Sequence, residues 1–293
     1  MSGGRWFLVG VTVVASLGLA ACDDSSPYDI AVFGDVPYTS TAVTQYERMI
    51  DNINASSAQF SVHVGDIGPA TSSTCTTATV DRERARFDTF ARPLVFTPGD
   101  NEWTDCGDRK LTPLSYIRNT IFRGTGTQSR GQTTMALASQ GQSGYPENAR
   151  WTRGPVTFAT LHVVGSKDNY GQRSEHDPRR LNNIAWLRDT FTSAKNRGDK
   201  GVVLLAQTDP NFTNPITAYQ SMLDAVKREA LNFGGQTLYV HGDGHTYKND
   251  RPLAGVDRLR RLQVEGDGKV SYVKIRIDPG SSAVFTVPQP TRF

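Results

Sequence analysis

Four aspartates stand directly after glycine at the ends of short apolar runs: Asp35, Asp66, Asp100 and Asp243. One Gly-Asp after such a run is an ordinary turn, because glycine permits a sharp bend and aspartate accepts hydrogen bonds from the backbone beyond it. Four of them have different electrostatics. If the runs are neighbouring strands, their carboxylates converge on one edge, and like charges held together there require a cation. The pattern points to a metal centre built mainly from oxygen ligands.

The elements that would position these residues share one form, an apolar, β-branched run that stops abruptly at small and polar residues. Segments 29–33, 60–64, 94–97, 156–164, 201–206 and 237–240 all have it and read as buried strands. Helical periods lie between several of them. Val43, Tyr46, Met49, Ile50 and Ile53 make one face; Leu181, Ile184, Leu187 and Phe191 a second; Ile216, Tyr219, Leu223 and Val226 a third. Alternating strands and helices predict an α/β layered fold around a parallel or mixed sheet, with ligands bound where the carboxyl ends of the strands converge. After Pro252 the period changes to two, as in 270–277, and with 283–287 this predicts antiparallel strands closing a second sheet. Residues 124–148, rich in Gly, Ser, Thr and Gln, read as a long insertion or lid. No internal repeat and no clean linker divides the chain.

The order and spacing of these strand ends resemble the calcineurin-like metallophosphoesterase superfamily, from about Ile30 to Tyr247. Asp35 matches the family's first aspartate, with Pro37 in place of a histidine ligand. Asp66 in Gly65-Asp66-Ile67-Gly68-Pro69 matches the metal-bridging aspartate. Gly99-Asp100-Asn101-Glu102 matches the third motif, with Asp100 at the asparagine ligand and Asn101 at the histidine. Gln207 falls where a lone histidine is expected, and Gly242-Asp243-Gly244-His245 matches the last motif. The segments around Asn101 and His241 look typical of a divergent bacterial lipoprotein branch. The resemblance implies a four-layer α/β fold, two packed mixed sheets flanked by helices.

It also implies chemistry: two metal ions that clamp phosphoryl oxygens and activate water. One ion would be held by Asp35, Asp66 and His245, the other by Asp66, Asp100, Asp243 and the Gln207 carbonyl. Such an oxygen-rich set suits one or two ions of Mn²⁺, Mg²⁺ or Ca²⁺ better than Zn²⁺. An amide at Asn101 cannot donate a proton to a leaving alkoxide as histidine can. Leaving groups of low pKa are then preferred, or Glu102 or His241 serves as the acid; His241 equally suits a role as metal ligand, as orienter of a ligand, or in the core. The expected substrate is a small phosphate mono- or diester. The alternative is a non-catalytic protein that binds metal or ligand at a degenerate phosphoesterase site; a scaffold with neither metal nor turnover is a third possibility.

Composition excludes other classes. With 32 basic against 29 acidic residues, net charge +3 drives no polyanion binding. The arginine runs at 82–86 and 258–261 lack interleaved aromatics, which argues for a solvated face and against nucleic acid. His63 and His162 lie inside strand runs and read as core histidines, whereas Lys167, in a polar strand end, suits either a plain turn or contact with an anionic substrate. Residues 6–21 are uncharged and apolar, and end in Leu19-Ala20-Ala21-Cys22. This resembles the lipobox of bacterial lipoproteins, which implies a signal peptide over 1–21, a lipidated tether over 22–28 carrying lipid on Cys22, and a phosphoesterase domain over 29–293. The protein would then be anchored to a membrane of the cell envelope, outside the cytoplasm. Of the three cysteines, Cys75 and Cys106 remain, too few for a disulfide-dense scaffold but an even pair expected to bond in an oxidising compartment.

Overall fold

The computed structural model describes residues 25–71, 74–107 and 111–293. The expected signal segment, Cys22 and the first part of the tether lie outside the described residues.

Two mixed sheets pack face to face. The first has the order β12-β11-β1-β2-β3, with β13 also on β11. Its parallel part is β1 (Tyr28–Phe33), β2 (Ala58–His63) and β3 (Leu94–Phe96); β11 (Ser271–Ile277) runs antiparallel to β1, and β12 (Phe285–Thr286) and β13 (Thr291–Arg292) pair with β11. The second sheet has the order β4-β5-β6-β7-β8-β10-β9. There β6 (Val156–Thr160), β7 (Gly201–Leu205), β8 (Gln236–His241) and β10 (Leu259–Gln263) are parallel neighbours, while β4 (Ala138–Gln140), β5 (Tyr145–Arg153) and β9 (Lys248–Asp250) are antiparallel additions.

Side chains on successive strand residues point to opposite faces, so each strand feeds two cores. Ile30 and Val32 of β1 meet Val203 and Leu205 of β7 between the sheets. Ala31 and Phe33 turn outward to α1 (Ser40–Ala55), where Tyr46, Met49, Ile50 and Ile53 cover them, with α2 (Thr77–Phe87) and α3 (Leu111–Thr120) alongside. Val202 and Leu204 turn the other way, onto α5 (Arg173–Arg197) and α6 (Gln220–Phe233). Helix, sheet, sheet, helix is the four-layer arrangement expected. Thr39 caps α1 by accepting from the Ala42 amide at 3.1 Å, and Thr76 does the same for α2 through Thr79 at 3.2 Å. No helix among the described residues is long and apolar enough to cross a membrane.

The six strand runs are strands, but three other expectations need correction. The strand at 271–277 does not close the second sheet; it joins the first beside β1, where its alternating Val273, Ile275 and Ile277 seal the inter-sheet core. Residues 124–148 are not a lid: Arg130 exchanges both backbone hydrogen bonds with Leu94 of β3, and 138–140 forms the outer strand of the second sheet. They bridge the edges of the two sheets and satisfy polar backbone that an edge strand would leave open. Leu181 is 58% exposed, because α5 turns Ile184, Trp186, Leu187 and Phe191 to the sheet instead.

Candidate metal centre

The carboxyl ends of β1, β2, β3, β7 and β8 meet along the seam between the sheets; the first three deliver one side chain each, β7 delivers Gln207 and Thr208, and β8 delivers Asp243 and His245. Asp35, Asp66, Asp243 and His245 adopt left-handed backbone, with φ of 54°, 61°, 65° and 51°. Non-glycine residues adopt this region at a cost, and it recurs where a turn must aim a functional side chain. Gly99 and Gly242 allow the close approach. A Cβ on Gly99 would stand 1.9 Å from Asp66 Oδ1, and one on Gly242 would stand 2.1 Å from Asp35 Oδ2.

The side chains sort into two triples whose donor atoms lie within 4.8 Å of one another: Asp35, Asp66, His245 and Asp66, Asp100, Asp243. Asp66 is common to both. Asp35 is fully buried; its Oδ1 accepts from the Asp243 amide at 3.0 Å and lies 3.4 Å from His245 Nε2, while its Oδ2 has no hydrogen-bond partner. A buried, unpartnered carboxylate oxygen is costly, and a divalent cation is the group that fits it. The donor set and the orphaned oxygen therefore suit a metal ion in this half.

Burial, and then the carboxylates of Glu102, Asp100 and Asp35, hold Asp66 well above the usual carboxylate range. Burial, with Asp243 and Asp105 beside it, pushes Asp100 up to about 7. Asp35 is raised by burial against the opposing pull of His245, and His245 is raised in turn, first by its hydrogen bond to Asp35. Among the described residues, His245 is the only side chain ion-paired with any of the four aspartates. Against four carboxylates the described residues thus set one imidazole, a balance that favours a bound cation.

Gln207, fully buried at the end of β7, reaches the same place. Its Nε2 donates to Asp66 Oδ2 at 3.1 Å, Asp100 Oδ1 at 2.9 Å and Asp243 Oδ1 at 3.2 Å, while its Oε1 accepts from the Gly165 amide at 2.6 Å. The carbonyl expected to face a metal faces away from the carboxylates. The remaining oxygens of Asp100 and Asp243 accept from Ser166 Oγ at 3.0 Å and Thr208 Oγ1 at 2.9 Å.

The three residues expected in catalytic roles, Asn101 through hydrogen bonding and Glu102 and His241 as candidate acids, sit around this cluster. Asn101 Nδ2 donates to Tyr38 Oη at 2.7 Å and to the Gly68 carbonyl at 3.0 Å. Glu102 is buried and braces two loops, accepting from the Ile67 amide at 3.1 Å and the Gly99 amide at 3.0 Å; burial pushes it up to about 7. His241 is buried with Nε2 3.7 Å from Asp209, and burial lowers it to about 4. Tyr38 has no motif to announce it, yet its hydroxyl donates to Asp66 Oδ2 at 3.1 Å and its ring packs edge-on against His245. Its position right after the Pro37 that replaces a histidine was the available signal. His63 and His162 are both fully buried in the core, as expected. Lys167 is exposed on the turn that carries Ser166.

A disulfide joins Cys75 to Cys106 across the loops that follow Asp66 and Asp100. It ties together the two strand ends whose charges repel.

No family model matches the sequence, and no curated protein sequence matches it. Solved structures do. A dimetal phosphatase from Danio rerio superposes with a TM-score of 0.58 at 11% identity, over 85% of this chain and 92% of that one. A single-mutant Vps29 from Entamoeba histolytica gives a TM-score of 0.34 at 14% identity, over 90% of this chain and 99% of that one. A 5'-nucleotidase from Candida albicans gives 0.40 at 8% identity, over 88% and 50%. The chain shares its fold with that dimetal phosphatase, two mixed sheets flanked by helices, which is the fold that the resemblance implied.

Proposed function

We propose that this chain is a metal-dependent phosphoesterase that hydrolyses small phosphate mono- or diesters outside the cytoplasm, held at a membrane by lipid on Cys22. One observation carries the reading: Asp66 is shared by two acidic triples at converging strand ends, beside the orphaned, buried Oδ2 of Asp35. The fold shared with a dimetal phosphatase supports it. A divalent cation bound by Asp35, Asp66 and His245 supplies Lewis acidity toward a phosphoryl oxygen and toward water.

The chain's own groups do the rest. Tyr38 stays protonated, because burial and the nearby Asp66, Asp35 and Glu102 carboxylates push its phenol far up. It presents a hydroxyl at the rim, oriented by Asn101. Both hydrogens of the Asn101 amide are engaged, so Asn101 positions Tyr38 and transfers no proton. Glu102 locks the loops of Asp66 and Asp100 in register. A cleft of about 420 Å³ opens beside Tyr38 and Gly68, with Arg82 and Arg86 in its lining, and suits the organic part of an anionic ester. With no strong acid at the rim, esters of acidic alcohols or phenols are the favoured substrates.

The test is metal-dependent hydrolysis of an aryl phosphate monoester and diester by the purified chain, supplied in turn with Mn²⁺, Mg²⁺ and Ca²⁺. Turnover that disappears in Asp66→Ala supports the proposal; folded, metal-loaded protein inert to both esters overturns it. The same engagement of Asn101 favours a second reading, a metal- or ligand-binding protein without turnover, and inert metal-loaded protein is what that reading expects. For the location, the Cys75–Cys106 bond fits an oxidising compartment. Cys22→Ala should shift the protein from the membrane fraction to the soluble one, and an unchanged membrane fraction would count against lipid anchoring.

A further inference from the structure

The two halves of the centre differ in how their oxygens are satisfied. Every carboxylate oxygen of Asp100 and Asp243 has a donor: Gln207 Nε2 and Ser166 Oγ for one, Gln207 Nε2 and Thr208 Oγ1 for the other. Asp66 Oδ2 shares the same amide nitrogen. Asp35 Oδ2 has none.

The orientation of the Gln207 amide is fixed from outside the cluster. Its Oε1 takes the Gly165 N–H. Turning the amide over would set its NH₂ against that N–H, two donors face to face at a buried position. Gly165 cannot move aside easily, because it opens the short segment α4 (Gly165–Asp168), which is left-handed at Ser166, Lys167 and Asp168, as is Asn169 after it. Left-handed turns of L-residues are costly and persist only when held. The holding group is Arg179, fully buried, which donates to Asp168 Oδ1 at 2.7 Å and the Asp168 carbonyl at 2.9 Å. Asp168 Oδ1 accepts in turn from the Val164 amide at 3.2 Å, and Tyr219 Oη donates to the Val164 carbonyl at 2.8 Å.

We propose that the chain binds one divalent ion, in the Asp35–Asp66–His245 half, and that the Gln207 amide takes the place of a second ion among Asp66, Asp100 and Asp243. This rests on the metal-centre reading above. The amide hydrogens carry partial positive charge toward three carboxylates, so they neutralise the cluster in part and repel a cation approaching the same oxygens. A second ion must displace them.

The test is ion stoichiometry, by native mass spectrometry and titration calorimetry with Mn²⁺ on the purified full-length chain. Wild type should take one ion, with any second bound about 100-fold more weakly or worse, and the bound Mn²⁺ should give the uncoupled six-line electron paramagnetic resonance spectrum of an isolated ion. Gln207→Glu keeps an acceptor for Gly165 and turns the donors into a carboxylate oxygen, so it should take two ions and show spin coupling. Two ions of similar affinity in the wild type overturn the inference, as does a folded Gln207→Glu protein that still takes one. No ion in either protein overturns the metal-centre reading itself and the inference with it.

Discussion

The Asp35 half and the Asp100 half of the centre start from the same material, aspartates at strand ends, and share Asp66. They end in different states, and Asp243 differs from the other three aspartates in not being buried. The Asp35 half leaves an oxygen without a partner and adds an imidazole, whereas the Asp100 half is knotted by an amide and two hydroxyls. Carboxylates alone therefore do not define a cation site; what defines it is whether protein donors have already taken the lone pairs. The first sheet supplies three of the four carboxylates, from the ends of β1, β2 and β3. The donors that neutralise one half, Gln207, Thr208 and Ser166, all follow strands of the second.

Substitutions can break this contrast. Asp66 belongs to both halves, so Asp66→Ala should weaken Mn²⁺ binding about 1000-fold or more, measured by calorimetry; near-normal binding would remove Asp66 from the centre. The Asp100 half should also report its charge through pH in metal-free protein. The folded state holds Asp100 at about 7 against 3.8 for the free side chain. Between those values the folded protein keeps a proton that the unfolded chain has lost, so the contribution to stability is present below about pH 4 and lost as pH rises through 7. From pH 4 to pH 8, urea unfolding should therefore show Asp100→Asn gaining about 3 kcal/mol relative to wild type. A flat difference would mean that the knot already compensates the charge. Next in size is an asymmetry in Mn²⁺ affinity: Asp35→Asn should lower it about 100-fold and Asp243→Asn no more than about 10-fold, the low end of the range for a group that only supports a ligand. Equal losses would erase the distinction between the halves. The smallest effect is that of Tyr38→Phe, which should lower kcat/KM for an aryl phosphate about 10-fold, through one hydrogen bond to a charged group, with ion stoichiometry unchanged.

Most of the framework was legible because burial dictates it. A strand covered on both faces is apolar throughout, and the abrupt stops after Phe33, Val64 and Ala206 mark the edge where ligands gather. The identity of the acidic residues was legible for the same reason. What each one does was not. The orientation of Gln207 depends on a backbone N–H at Gly165, 42 residues earlier, held in place by Arg179 on a different helix. Nothing local to Gln207 encodes it. The sheet that receives 271–277 was equally hidden, since a period of two fixes which side chains face inward but not which strand lies alongside. Leu181 misled because a three-residue spacing to Ile184 is met on either side of the true apolar stripe of α5.

The Cys75–Cys106 bond bears on when the centre is assembled. The loops after Asp66 and Asp100 carry buried charges of one sign, and left to themselves they would spread apart until an ion drew them together. A covalent link closed during oxidative folding removes that freedom beforehand. The ordering of the acidic loops is then completed once, when that bond closes, and does not await the ion. Capture of an ion would then be a local event at a prepared surface, with little rearrangement of the backbone to slow it.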